Sequence, residues 1–312
     1  MKTSHEPSEL RHLDLIETAG FGGYSLIDSG AGRKLERFGS VVVDRPEPQA
    51  LWTPRAPESR WRSANAVFAG DDDEDKGRWR IDKPVPESWP VQVGTATMIC
   101  RLASFRHMGL FPEQMPHWEW MLERIEERKR AAGDEPVRVL NLFAYTGAAS
   151  LIAAAAGAHV THVDASKKAI SWAKENQSAS KLGAAPIRWI LDDAAKFVAR
   201  EVRRGKTYDI ILVDPPKFGR GPEGEVWDLF TSLPPLMRDC AALLAPAASL
   251  VLTVYAIRAS TIAFDQLCRE VLAGRGGAFQ TGELAIREEG GAPDARAVPA
   301  SLFTRWTGAA NA

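Results

Sequence analysis

Cysteine is scarce in this chain: three residues among 312, Cys100, Cys240 and Cys268, lie far apart with no CxxC pair. That excludes a disulfide framework and a cysteine-based zinc site, and the three read as buried thiols of a reducing compartment. No metal centre is expected. Long apolar runs are also missing, and none reaches the roughly 18 residues a membrane helix needs. The start, Met1-Lys2-Thr3-Ser4-His5-Glu6, lacks the apolar segment of a secretory signal. A cytoplasmic protein without membrane association is therefore expected. Charge of one sign is absent too: 39 Lys and Arg stand against 40 Asp and Glu, a net charge of −1. A global attraction to nucleic acid is excluded, and any such contact requires a local basic patch.

What is present changes character along the chain. Up to about residue 115, short strand-like pieces alternate with turns. Tyr24–Asp28 precedes Gly30-Ala31-Gly32, and a strand over Glu36–Asp44 follows it. Ala66–Ala69, Arg78–Ile81 and Val91–Val93 continue the pattern, which predicts a small, mainly β unit. The acidic run Asp71–Asp75 reads as a solvated loop tip. A helix over Trp118–Ala131 comes next, with Trp118, Met121, Leu122 and Ile125 at helical spacing.

Four apolar runs then close on polar residues, one after another. Val137–Phe143 leads into Ala144-Tyr145-Thr146-Gly147, and His159–Val163 ends at Asp164-Ala165. Ile187–Leu191 ends at Asp192-Asp193, and Ile210–Val213 at Asp214-Pro215-Pro216-Lys217-Phe218. Helix-like segments separate them, with Ser166 and either Asp192 or Asp193 as N-caps. The segment after the fourth run, Leu229–Leu244, also looks helical but carries Pro234-Pro235, where a break is expected. Ser249–Val254 predicts another buried strand and Ser260–Leu272 another helix. Ala278–Gln280 and Leu302–Trp306 read as a closing antiparallel pair, with the loop Arg287–Pro299 between them. The expectation is a parallel α/β sheet with functional groups at its carboxyl edge, where open sheets bind ligands.

The first turn, Asn141 to Gly147, holds one glycine, which makes a poor pyrophosphate cradle. A ligand without phosphates needs less. Asp164, roughly twenty residues on, is placed to grip ribose hydroxyls. Asp193 can accept from an adenine amino group, and Asp214 lies beside the reaction centre. The combination suits S-adenosylmethionine. Plainer readings exist for each: a helix cap for a strand-end Asp, core packing for Phe143 and Tyr145, a rigid turn for Asp214–Phe218. Three such acids in register with a glycine turn favour the ligand reading.

The motifs Asn141-Leu142-Phe143-Ala144-Tyr145-Thr146-Gly147 and Asp214-Pro215-Pro216-Lys217-Phe218 resemble the class I S-adenosylmethionine-dependent methyltransferases, in the branch containing bacterial large-subunit ribosomal RNA methyltransferases. The resemblance covers roughly residues 108–307. It implies a Rossmann-like sheet with helices on both faces and an antiparallel final strand, spanning 106–312. The mainly β front segment, 1–105, lies outside the resemblance and is expected to be a small domain that grips substrate. Gly109-Leu110-Phe111-Pro112-Glu113-Gln114 resembles the branch's glycine–aromatic–Gln element. That adds Phe111 and Gln114 to the expected cofactor contacts, beside Asn141, Phe143, Ala144, Tyr145, Thr146, Gly147, Asp164, Ala165, Asp192, Asp193 and Asp214. Asp214, Pro215, Pro216 and Phe218 are the expected reaction centre.

Two departures bear on chemistry. Cytosine-C5 enzymes of the branch carry a nucleophilic cysteine after the fifth strand, and here Thr253-Val254-Tyr255-Ala256-Ile257 has Ala256 in its place. Attack at C6 needs a thiolate, so that chemistry is not expected. The front hundred residues match no RNA-binding module of those relatives. Direct methylation of a nitrogen on an RNA base, ribosomal RNA first, is the leading expectation. The carboxylate and proline carbonyls would accept from the amine, Phe218 would stack on the base, and Lys217, Arg220, Arg106 and His107 are candidate phosphate contacts. Methylation of a small molecule or protein side chain is the alternative, with a non-catalytic cofactor-binding protein behind it. A homodimer is left open.

Overall fold

A computed structural model of the chain describes residues 12–70, 77–103, 106–133, 135–255, 258–290 and 295–309. The acidic run at 71–75 and position 256 lie outside the described residues. The chain opens with β1 (Asp14–Thr18), β2 (Tyr24–Gly30), β3 (Arg33–Phe38), β4 (Val41–Pro46), the single turn α1 (Glu58–Trp61), β5 (Ala66–Gly70), β6 (Gly77–Ile81), β7 (Trp89–Val93) and β8 (Ala96–Cys100). A 3-10 turn, Pro112–Gln114, runs into α2 (Met115–Ala132), followed by β9 (Arg138–Leu142), α3 (Ala148–Ala155), β10 (His159–Asp164), α4 (Lys167–Ala179), β11 (Ile187–Leu191), α5 (Ala194–Arg203) and β12 (Tyr208–Val213). The hairpin β13 (Phe218–Arg220) and β14 (Val226–Asp228) leads to α6 (Leu229–Ala242), β15 (Leu244–Tyr255), α7 (Thr261–Val271), β16 (Ala278–Arg287) and β17 (Ala297–Thr307).

The expected α/β sheet is present, in the order β1-β16-β17-β15-β12-β9-β10-β11. Strands β15, β12, β9, β10 and β11 pair in parallel, and β17 runs antiparallel between β15 and β16. The chain builds outward from β9 to β11, then returns to place β12 on the other side of β9. That reversal opens a crevice at the carboxyl ends of β9 and β12, the place where such sheets bind ligands. Helices cover both faces. The α5–α7 side is filled by Phe197, Leu233, Met237, Phe264 and their neighbours. On the other side Met121, Ile125, Leu151 and Val139 share one continuous core with Tyr24, Phe38, Val91 and Met98 of the front strands. Burial of each large side chain there contributes roughly 1.5–3 kcal/mol.

Caps place the helix starts. Ser166 accepts from Ala169 N at 3.2 Å, and Asp193, rather than Asp192, accepts from Lys196 N at 2.9 Å. Past α4, Lys181 takes the left-handed conformation (φ 58°).

The front strands form the sheet β2-β3-β4-β5-β6 and the separate hairpin β7–β8. The strand expected over Glu36–Asp44 is in fact a hairpin, turned at Gly39-Ser40 with Gly39 at φ 58°; a two-residue turn of this kind needs a positive φ that glycine supplies. The expected break in α6 does not occur. Pro234 and Pro235 lie inside one helix, because Leu229, Leu233, Leu236, Met237, Cys240 and Ala241 all bury from a single face, and that burial outweighs the lost backbone bonds. The connection after Arg287 is shorter than expected, since β17 starts at Ala297; residues 291–294 lie outside the described residues.

The front sheet and the large sheet are interlocked. β1 pairs in parallel with β16, and the approach is so close at Gly282 that a Cβ there would sit 1.7 Å from the Asp14 carbonyl. Glu288 and Arg296, flanking the β16–β17 connection, reach into β2: Ser29 Oγ donates to Glu288 at 2.6 Å, and Arg296 donates to Asp28 at 2.6 Å and to Glu288 at 2.7 Å. Hairpin β7–β8 docks on α4, whose Asn176 and Ser180 side chains accept from Ile99 N and Thr97 N as a neighbouring strand would.

Candidate functional site

A cleft of about 460 Å³ occupies the crevice at the carboxyl ends of β9, β10, β12 and β15. Every residue assigned to the cofactor from the sequence lines it. Of the four assigned to the reaction centre, Asp214 and Pro216 line it. Pro215 is buried outside the lining, and Phe218 stands 64% exposed on β13.

The turn after β9 does without the glycines a phosphate loop would use. Phe143 (φ 55°) and Tyr145 (φ 49°) both take the left-handed conformation, at about 1–3 kcal/mol each, and Gly147 takes it at φ 87°. Neighbours hold the strain. Tyr145 N donates to Asp164 Oδ2 at 2.8 Å, and Ala144 N to Val163 O at 3.1 Å. The Phe143 ring lies 4.8 Å from Trp227, and Tyr145 lies 5.5 Å from Phe111. Thr146 Oγ1 donates to Gly109 O at 2.6 Å, which ties the Gly109–Phe111 segment across the cleft. Gly109 itself (φ 89°) packs on Trp172 so closely that a Cβ would meet the ring at 2.3 Å.

Asp164 accepts a second backbone bond, from Ser166 N at 2.8 Å. Burial nevertheless raises its carboxyl above the ordinary range. Two backbone bonds use half of the carboxylate's roughly four acceptor positions, so it can still receive two hydroxyls. Asp193 spends one oxygen on its cap. Asp192 is engaged by Arg200 and by Asp193 N. Asn141 donates to Ser150 Oγ at 3.0 Å, and Ser150 meets His162 Nδ1 at 3.0 Å.

Asp214 is the outlying group. Its Oδ2 accepts from Gln114 Nε2 at 3.3 Å, while Oδ1 is shielded from solvent and has no hydrogen-bond partner among the described residues. Burial, and behind it the charge of Glu113, push its carboxyl up to about 8. An orphaned buried acceptor in a cleft is the mark of a group awaiting an N–H or O–H donor. Of the two proline carbonyls expected to share that task, Pro216 O is already taken by Trp227 Nε1 at 2.7 Å.

Sequence reading missed Trp227, His117 and Tyr255, which also line the cleft. Trp227 lies on a three-residue strand with no local signal. His117 hides in the first turn of a helix whose pattern points to core. His107, a candidate phosphate contact, is half-buried with its ring 5.0 Å from that of Phe111, and desolvation there pushes it down to about 3. A neutral ring offers a phosphate no charge. Among the described residues, no cluster of three or more metal-ligating side chains occurs and no helix is long and apolar enough to cross a membrane.

Comparison with known proteins adds three findings. The family model described as "Conserved hypothetical protein 95" matches residues 126–228. The chain is 52% identical to the SAM-dependent methyltransferase from Agrobacterium tumefaciens, whose crystal structure matches with a TM-score of 0.88 over 94% of this chain and 93% of that one. Among curated relatives, it is 36% identical over 152 residues to the ribosomal RNA large subunit methyltransferase K/L of Hahella chejuensis, 48% of this chain and 19% of the relative. It is 39% identical over 85 residues to the ribosomal RNA large subunit methyltransferase I of Cronobacter sakazakii, 27% of this chain and 22% of the relative. The chain thus spans about a fifth of the length of these curated relatives.

Proposed function

The chain belongs to the S-adenosylmethionine-dependent methyltransferases, and from that premise we propose that it methylates a nitrogen of an RNA base, ribosomal RNA first, in the cytoplasm. The observation that carries this reading is the orphaned Oδ1 of Asp214 at the mouth of a cleft that fits the cofactor. The fit is chemical. Asp164 keeps acceptor positions for ribose hydroxyls, Asp193 for an adenine amine, and the cleft volume lies within the usual range for a small-ligand site. When bound, the cofactor supplies an electrophilic methyl group on a positively charged sulfur.

The chain's own residues do the rest. Asp214 Oδ1 accepts an N–H of the substrate amine, aims its lone pair and takes its proton as the nitrogen becomes alkylated. Gln114 holds the other oxygen. No nucleophilic side chain is required, because direct transfer needs positioning and electrostatics only. A carboxyl that titrates near the working pH suits proton acceptance.

For the substrate, the rim supports a polyanion. Lys167, Lys168, Lys217 and Arg220 are all exposed and adjoin or belong to the cleft lining, although the whole chain carries −1. Exposed Phe218, with Lys217 Nζ 5.5 Å from its ring centre, offers a stacking surface for a splayed base. A small-molecule substrate would be favoured by a pocket closed by the front tryptophans. Trp52, Trp61, Trp79 and Trp89 instead donate to Ser29, Asp28, Ala103 and Phe38, and none lines the cleft.

Transfer of radiolabelled methyl into an extract from cells lacking this protein tests the substrate. Label in ribonuclease-sensitive material is expected; label confined to protein or small molecules would overturn the RNA reading. For the cofactor site, Asp164→Ala is expected to weaken S-adenosylmethionine binding about ten- to a hundredfold by calorimetry. Unaltered affinity would remove Asp164 from the site.

A further inference from the structure

His117 is 3% exposed, yet it lines the floor of the cleft with Gln114, Trp118, Leu212, Val251 and Thr253. Its two ring nitrogens differ. Nδ1 accepts from Arg305 Nε at 2.9 Å and lies 2.7 Å from Arg305 Nη2. Because a guanidinium only donates, Nδ1 carries no proton and the neutral ring holds its proton on Nε2. Burial, and then the Arg305 charge, keep His117 far below its ordinary range, so the ring stays neutral. Nε2 is shielded from solvent and has no partner among the described residues.

Arg305 is as unusual. It is 6% exposed and bonds to His117, to Pro116 O at 2.7 Å and to Gln280 Oε1 at 3.3 Å. Among the described residues it makes no ion pair; Glu123, Asp14 and Glu119 act on it only through space. The register aligns Leu212, Val251, Arg305 and Gln280 in one row across the sheet, on the face that floors the cleft. A buried cation without a counter-ion, behind a fixed N–H donor, makes that floor attractive to an anion.

We infer that the His117 Nε2–H, backed by Arg305, receives the carboxylate of the cofactor's amino-acid tail and thereby selects the intact cofactor over tail-less adenosine thioethers. A substrate acceptor does not fit here: nucleobases are neutral, and RNA phosphates meet the exposed cations of the rim, which leaves the tail carboxylate as the anion for this buried floor. The inference rests on the family's cofactor and is independent of the RNA reading.

S-Adenosylhomocysteine and 5′-methylthioadenosine share the adenosine and the sulfur but differ in the tail, so calorimetry with both isolates the contact. His117→Phe is expected to weaken the first about ten- to a hundredfold and leave the second unchanged. His117→Gln, which keeps an N–H donor, is expected to recover part of the loss. Equal losses for both ligands, or none, would overturn the assignment, as would a loss confined to RNA binding. On the unaltered protein, the Nε2-bound proton of His117 is expected to shift in NMR spectra with the homocysteine compound and not with methylthioadenosine. The same shift with both also counts against it. Failure of the unaltered protein to bind either ligand would instead refute the cofactor itself.

Discussion

Asp214→Ala is expected to lower kcat for methyl transfer by about 10²–10³-fold while S-adenosylhomocysteine binds within a few-fold of the unaltered protein. The reason is local. Oδ1 of Asp214 has no partner among the described residues, so its removal costs the fold little and the reacting amine its acceptor. Undiminished turnover in single-turnover experiments would sink the role. The pH dependence gives a second check. The carboxyl of the free protein titrates at about 8, and the charged form is the one that takes a proton. Thus kcat/KM should climb as pH rises toward 8 and level off above it. Stability moves the other way. A carboxyl raised above its ordinary value favours the folded state at low pH, and that contribution is lost as pH rises through about 8. Asp214→Asn, which cannot ionise, should therefore melt above the unaltered protein at pH 8 and beyond. A fall in its melting temperature at that pH would show that the charge is tolerated.

The largest loss of stability is expected from Arg296→Met. Arg296 joins Asp28 and Glu288, whose side chains are 3% and 6% exposed, and also donates to Thr53 O. Removing the cation leaves two buried carboxylates facing one another, a change that costs about 3–5 kcal/mol. Denaturant unfolding should register it as a lower midpoint. Arg296→Met combined with Glu288→Leu should recover part of the loss, because the second change removes a charge the first had stranded. Strictly additive losses would mean that the two residues do not act as a unit.

The catalytic half was legible because its signals are local. Strands β9, β10 and β12 are short apolar runs buried on both faces, β11 is a half-exposed edge strand, and the polar terminus of each names the cleft edge directly. Ser166 and Asp193 cap helices as their positions suggest. What escaped depends on distant partners. β1 has an exposed Leu15, with exposed Leu13 just before it, and no core pattern of its own; only β16, far along the chain, makes it a strand. The prolines of α6 argue for a break until the buried face they serve is seen. His117 lies just outside the helix expected from Trp118, and its meaning depends on Arg305, on the final strand. Trp227 likewise gains its place from Phe143 and the Pro216 carbonyl.

The parallel pairing of β1 with β16 has a mechanical consequence. Seen from the large sheet, the front strands are a loop spliced between β1 and α2, anchored at both ends and pinned a third time by the Asp28–Arg296–Glu288 cluster. A body held at three separated points resists hinge rotation, so the front sheet travels as one piece with the cleft. Cutting the chain at residue 105 would not free a module. It would strip the sheet of its edge strand and bare the backbone of β16, leaving a surface prone to pairing with other chains.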